Sequence, residues 1–171
     1  LTESRERSRC CSAVRAVWNP AAPSVTMIHI DLTFRDSNLK HRLVGLAGYG
    51  APDMSTGRYI TLEGAEGCGK STHAARLADA LDAVLTRETG GTAIGQRIRT
   101  ILHDTTVTNL SHRAEALLTA ADRAQHIDEI VAPALISGRH VVSDRSVYST
   151  LAYQGYGREL PLAEVRRLNE W

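Results

Sequence analysis

The sequence predicts an α/β fold, with a parallel sheet covered by helices on both faces as three layers, α/β/α. Three observations carry that prediction. From Arg58 onward, short apolar runs of strand length alternate with longer runs of helical period. A glycine-rich loop ending in Lys70-Ser71 sits where the first of those strands meets the first helix. A length of 171 residues suits one domain with one core. Composition agrees, since 43% hydrophobic and 23% charged residues are ordinary for a globular chain. The net charge of +1 argues against a general nucleic-acid or membrane partner. No apolar run approaches the ~20 residues that span a bilayer.

Taken in order, Tyr59–Glu63 reads as a short apolar strand and Gly64–Gly69 as a turn. Lys70–Leu81 carries Ala74, Ala75, Leu77, Ala80 and Leu81 at helical spacing. Ala83–Thr86 reads as a second strand and Ile94–Leu102 as a second helix. Leu110–Val131 continues a helical pattern through Leu117, Leu118, Ala121 and Ile127, with a break expected near Pro133. His140–Ser143 is a third strand ending at Asp144, followed by helices over Ser146–Gln154 and Leu162–Leu168. Strands separated by helices favour parallel pairing, and no internal repeat is present.

Residues 1–53 differ from the rest of the chain. They hold Pro20, Pro23, Pro52 and scattered glycines without a sustained period, and are expected to be a disordered or non-native leader, with Met54 as the natural start of a 54–171 domain. The rough alternation over Val25–Phe34 is the one ordered-looking piece, alternatively an extra sheet edge. Leu1–Val14 lacks the apolar core of a secretory signal and carries acids, Glu3 and Glu6, that do not suit a transit peptide. Cys10 and Cys11 are adjacent and Cys68 lies in the glycine-rich loop, so no disulfide framework is implied and a reducing, cytoplasmic setting is expected.

Gly64-Ala65-Glu66-Gly67-Cys68-Gly69-Lys70-Ser71 fits G-x-x-x-x-G-K-[ST] in full, between strand and helix. Glycines let successive backbone N–H groups turn inward around phosphate oxygens, and the helix start adds partial positive charge. Lys70 can reach the outer phosphates, the Ser71 hydroxyl can ligate Mg²⁺, and Thr72 extends the site into the helix. A glycine turn capping an ordinary helix would not require lysine and serine together. Cys68 fills a small-residue slot more readily than it serves as a nucleophile.

Four further clusters narrow the reading: Arg87-Glu88-Thr89-Gly90-Gly91-Thr92, Ala120-Ala121-Asp122-Arg123-Ala124-Gln125-His126, Asp144-Arg145, and Ala152-Tyr153-Gln154-Gly155-Tyr156-Gly157-Arg158. With the loop, their order and spacing over Arg58–Trp171 resemble the thymidylate kinase family of P-loop NTPases, in its bacterial form, where glycine rather than a basic residue stands at Gly67. The resemblance implies transfer of the ATP γ-phosphoryl group to dTMP, with Mg²⁺ as cofactor and a homodimeric enzyme. It makes Asp144 the acid that organises Mg²⁺ with Ser71, and Arg145 and Arg99 the arginines on the acceptor phosphate. Lys70, Arg145 and Asp144 are then the catalytic set. Arg123 would donate to the thymine carbonyl, Tyr153 would pack near the sugar 2′ position, and Gln154 would line the base. Glu66 would approach the 3′-hydroxyl, Glu88 would wall the acceptor, and Thr119, Ser149 and Thr150 would complete its site.

Singly, these residues have plainer readings: Arg99 and Arg123 as solvated helix residues, Asp144 as an N-cap for the helix after it, Tyr153 as core. Three departures also stand out. Thr119 replaces the family's phenylalanine, a base stack worth ~1–3 kcal/mol. Thr89 replaces a proline, which would leave its loop looser. Ser146 replaces an aromatic. The family's later strands, lid and adenine-binding segment would come after Trp171, so the chain is expected to be C-terminally partial and inactive alone. Two alternatives stay open: another nucleoside monophosphate kinase of this architecture, and a non-catalytic nucleotide-binding remnant.

Overall fold

A computed structural model describes residues 57–169 together with the backbone of Val14–Trp18 and Thr26–Asp31. Among the described residues one sheet has the order β1-β2-β3-β5-β4, where β1 is Val14–Trp18, β2 Thr26–Asp31, β3 Arg58–Glu63, β4 Val84–Arg87 and β5 Val141–Asp144. β2, β3, β5 and β4 are parallel, as the alternation of strands and helices predicts, while β1 adds an antiparallel edge against β2. β2 lies within the alternation read over Val25–Phe34 and pairs along the whole of β3, from Thr26↔Arg58 to Asp31↔Glu63. Val25, residues 32–34, Leu1, Cys10, Cys11 and Met54 lie outside the described residues.

Helix α1 spans Lys70–Leu81, α2 Ala93–His103, and α3 His112–His126. α3 widens into a π-turn over Ile127–Val131 and resumes as α4, Ala132–Ile136. The helical path therefore runs through Pro133 instead of breaking there. Proline removes one N–H and crowds the carbonyl of the preceding turn. The π-turn reaches its wider bond immediately before it, with Ala132 N–H donating to the Ile127 carbonyl, and Pro133 falls at the start of α4, where its missing donor costs least. α5, Val147–Thr150, likewise opens into a π-turn over Leu151–Gly157, and α6 is Leu162–Leu168.

Alternation along β3 sorts the two faces. Ile60 and Leu62 join Val142 and pack on Ala74, Leu77 and Ala78 of α1. Tyr59 faces the other way with Val141 and meets Val131 and Ala134 of the α3–α4 run. Side chains of opposite parity on one strand thus fill two cores, which makes the three-layer α/β/α arrangement. Register aligns the strand ends: Asp144 is opposite both Leu62 and Arg87. Glu63, Arg87 and Asp144 therefore finish at one edge, the carboxyl edge, where open parallel sheets bind ligands.

Candidate active site

The glycine-rich loop leaves β3 at this edge and enters α1 without a side-chain cap. Gly67 and Gly69 have φ of 76° and 90°, a left-handed conformation that disfavours any side chain. With Gly69 at the N-cap there is no hydroxyl or carboxylate to occupy the first N–H groups of α1, which suits an anion. Ala65, Glu66 and Gly67 are exposed, Thr72 is exposed on the first turn, and Cys68 packs its partly buried side chain against the α1 core. Lys70 is buried and folded back: its Nζ donates to the Ala65 carbonyl at 2.7 Å and lies 3.7 Å from Cys68 Sγ. The ammonium is thus held under the loop by the loop's own backbone.

Ser71 Oγ donates to Asp144 Oδ2 at 2.5 Å, so the loop and the end of β5 are joined by the two groups read as Mg²⁺ ligands. Asp144 Oδ1 is buried and has no hydrogen-bond partner among the described residues. An orphaned carboxylate oxygen beside a hydroxyl fits Mg²⁺, which takes few protein ligands and is otherwise held by phosphates and water. Asp144 does not cap α5, because its carboxylate is turned to Ser71 and Ser146 is the N-cap residue.

Beside the loop is a cavity of ≈ 510 Å³, within the range of small-molecule sites, about 300–1,000 Å³. Every residue read as an acceptor contact borders it: Glu66 from the loop, Glu88 after β4, and Arg99 on α2. Thr119 and Arg123 line it from α3, Arg145 and Ser149 from the segment after β5, and Thr150, Tyr153 and Gln154 from α5 and its π-turn. Of the catalytic set, Asp144 and Arg145 border the cavity, whereas Lys70 stays beneath the loop.

The arginines are held differently. Arg123 gives Nε to Glu88 Oε2 at 2.9 Å, Nη2 to Thr150 Oγ1 at 2.8 Å, and Nη1 to Asn169 Oδ1. It is no solvated helix residue, with its side chain 12% exposed and that of Glu88 3%. Arg145 lies 5.5 Å over the half-exposed Tyr153 ring and reaches Ser149 Oγ at 3.2 Å. Tyr153 is thus a cavity wall, not core. Arg99 donates to the Thr89 carbonyl at 3.1 Å, and burial, then the neighbouring charges of Arg87 and Arg145, draw its guanidinium below its ordinary value. The charges of Arg87 and Arg145 close to that of Arg99 favour an anion beside them. The Thr89 loop is pinned by that bond, by Gly90 N–H to Asp122 Oδ1 at 2.9 Å, and by Gln96 Nε2 to the Gly90 carbonyl at 2.9 Å.

Sequence reasoning missed several groups. Glu63 accepts from Ser146 N–H at 2.7 Å and from Ser149 Oγ at 2.5 Å, and so sets the turn that carries Arg145. Burial raises its carboxyl above the usual range against those bonds. Glu115 lines the cavity one turn before Thr119 and accepts from Gln154 Nε2 at 2.8 Å and from Arg158. Burial pushes it up, but the bonds from Gln154 and Arg158 hold it below its ordinary value. The i, i+4 spacing of Glu115 and Thr119 was the available signal. Arg87, Ser146 and Arg158 also border the cavity.

This chain resembles known proteins of one family. The thymidylate kinase family profile matches residues 62–171. A thymidylate kinase of Halothermothrix orenii is 50% identical over 120 residues, 67% of this chain and 58% of that protein. One of Desulfovibrio desulfuricans is 51% identical over 116 residues, 65% of this chain and 54% of its own length. The chain thus spans little more than half of these relatives. The crystal structure of a thymidylate kinase from Ehrlichia chaffeensis superposes with a TM-score of 0.63 at 36% identity, covering 66% of this chain and 67% of the other. Among the described residues no helix is long and apolar enough to cross a membrane.

Proposed function

This chain belongs to the thymidylate kinase family, and on that premise we propose that it binds ATP at Gly64–Thr72 and dTMP in the adjoining cavity, for in-line transfer of the γ-phosphoryl group to the dTMP phosphate. The observation that carries the proposal is the convergence of Glu66, Arg99, Arg123, Arg145 and Tyr153, drawn from separate elements, on one cavity beside the loop. The names of the relatives support dTMP over another base.

The chemistry asked of these residues is positioning. The acceptor is already an anionic oxygen, so no strong base is required, and orientation with charge neutralisation does most of the work. Arg99 and Arg145 hold the dTMP phosphate and aim it at the donor. Lys70 leaves the Ala65 carbonyl for the donor's outer phosphates. Ser71 and Asp144 are the residues that would hold Mg²⁺, which supplies neutralisation of phosphate charge. Arg123 and Gln154 face the base, while Tyr153 crowds the sugar. A cytoplasmic homodimer that uses neither nucleic acid nor membrane completes the proposal.

Equilibrium titration of the chain with dTMP, dCMP, dUMP and dAMP tests it. The expected result is dTMP bound at least about tenfold tighter than dCMP, the scale of one hydrogen bond to a charged donor. Equal affinity for all four would remove the base assignment, and ATP binding without any acceptor binding would favour the non-catalytic remnant.

A further inference from the structure

Behind the cavity lies a buried polar chain that the transfer itself does not use. Glu88 sits just past β4 and its two oxygens are divided. Oε2 takes Arg123 Nε at 2.9 Å, whereas Oε1 takes His126 Nδ1 at 2.9 Å and the Tyr59 hydroxyl at 3.2 Å. The far nitrogen of His126, Nε2, is 2.7 Å from Thr86 Oγ1. Thr86, Tyr59 and Glu88 are buried and His126 is fully enclosed. The chain ties β3, β4 and α3 together through side chains alone, and only its last member, the Arg123 guanidinium, reaches the cavity with Glu88.

The charge states follow from the environment. Burial pushes the Glu88 carboxyl up, but the His126 bond and the Arg123 charge outweigh it and hold it below its ordinary value. Burial first, then the Glu88 charge, keeps the Tyr59 hydroxyl protonated far into the alkaline range. An ionised Glu88 only accepts, so Tyr59 O–H and His126 Nδ1–H both donate to Oε1, which fixes the imidazole with Nε2 toward Thr86.

A carboxylate with both oxygens free grips arginine through two parallel bonds, engaging Nε and a terminal nitrogen together. Here Oε1 is already spoken for, so the grip is single. Among the described residues, three of the five guanidinium N–H groups are engaged, by Glu88, Thr150 and Asn169, and two are left over. We propose that His126, with Tyr59 and Thr86, is a positioning residue for base recognition: by occupying Oε1 of Glu88 it keeps the Glu88–Arg123 contact single and leaves the end of the Arg123 fork free for the acceptor's base. This rests on the assignment of dTMP to the cavity.

The test uses the full chain and three substitutions, His126→Phe, His126→Asn and Tyr59→Phe, with dTMP, dCMP and ATP affinities read by titration calorimetry and folding by thermal melting. His126→Phe removes the donor to Oε1 and should erase most of the dTMP-over-dCMP preference, about tenfold, with ATP affinity within about twofold. His126→Asn offers an amide N–H at the same place and should restore the preference to within about threefold of the unmodified chain. Tyr59→Phe keeps shape and removes only the second donor, so it should cost the preference about threefold; it serves as the reading if His126→Phe does not fold. A preference untouched by Tyr59→Phe and, where it folds, by His126→Phe overturns the inference, as does an equal loss for dTMP, dCMP and ATP. If the unmodified chain shows no preference for dTMP, the assignment of the cavity has failed first.

Discussion

The loop that would hold the donor and the cavity that would hold the acceptor are built on opposite plans. The loop is eight consecutive residues whose recognition groups are mostly backbone N–H; its lysine is parked five positions back on the Ala65 carbonyl, while Ser71 reaches out of the loop to Asp144. The cavity is assembled from side chains on several segments, from the turn after β4 through α2 and α3 to α5 and its π-turn, and its Arg123 and Ser149 are tied across 27 and 86 positions, to Thr150 and Glu63. A site read by backbone depends on conformation and tolerates varied neighbours. A site read by side chains depends on whatever holds those side chains, and here that is a layer of buried acids and hydroxyls.

The largest effect should come from the loop. Lys70→Met keeps the apolar stem under the loop and deletes the one lysine ammonium among the described residues. ATP affinity should fall about 100-fold, the scale of one or two charged contacts, while dTMP affinity changes less than about twofold. Calorimetric titration of both nucleotides measures this, and coupled losses would break the separation of the two regions.

On the other side, Arg123→Lys retains charge but cannot reproduce the planar fork shared among Glu88, Thr150 and Asn169. dTMP affinity should drop about tenfold to thirtyfold with ATP binding intact, and the melting temperature should fall because Glu88 loses a buried partner. Unchanged dTMP binding would place the base elsewhere.

The same contrast explains how much the sequence revealed. The loop and the α1 and α6 boundaries were legible because glycine spacing and helical period are local. The π-turns were not, because a pattern of 3.6 residues per turn continues through them, and so Pro133 looked like a stop. The acceptor residues emerged through the resemblance, since nothing local distinguishes Arg123 from a surface arginine. Glu63 read as an ordinary strand end, its role visible only once Ser146 and Ser149 lie beside it. His126 stood at the end of the Ala120–His126 cluster without a role, although it lies three positions after Arg123 on one helix face.

Thr119 allows a gain instead of a loss. Its hydroxyl donates to the Glu115 carbonyl of its own helix at 2.9 Å, so the cavity receives little from it. Thr119→Phe should place a ring on the base and tighten dTMP about fivefold to tenfold, the lower part of the ~1–3 kcal/mol seen for base–aromatic stacks, with ATP unaffected. Weaker dTMP binding would mean that the space at Thr119 is already filled by the base.

The finest test sets two buried acids against each other. Burial holds Glu63 above its ordinary value, whereas the His126 bond and Arg123 charge outweigh burial and hold Glu88 below it. A raised carboxyl contributes stability below its unfolded value, about 4.3, and loses it as pH rises through the folded value; a depressed one contributes above 4.3 and loses it as pH falls through the folded value. Relative to the unmodified chain, Glu63→Gln should therefore compare better as pH rises from about 4 toward 7. The deficit of Glu88→Gln should instead shrink as pH falls below about 4.3. Urea unfolding of the three proteins across that range reads both slopes. Slopes of the same sign would mean that the two acids share one environment, against the opposite balances of burial and pairing at Glu63 and Glu88.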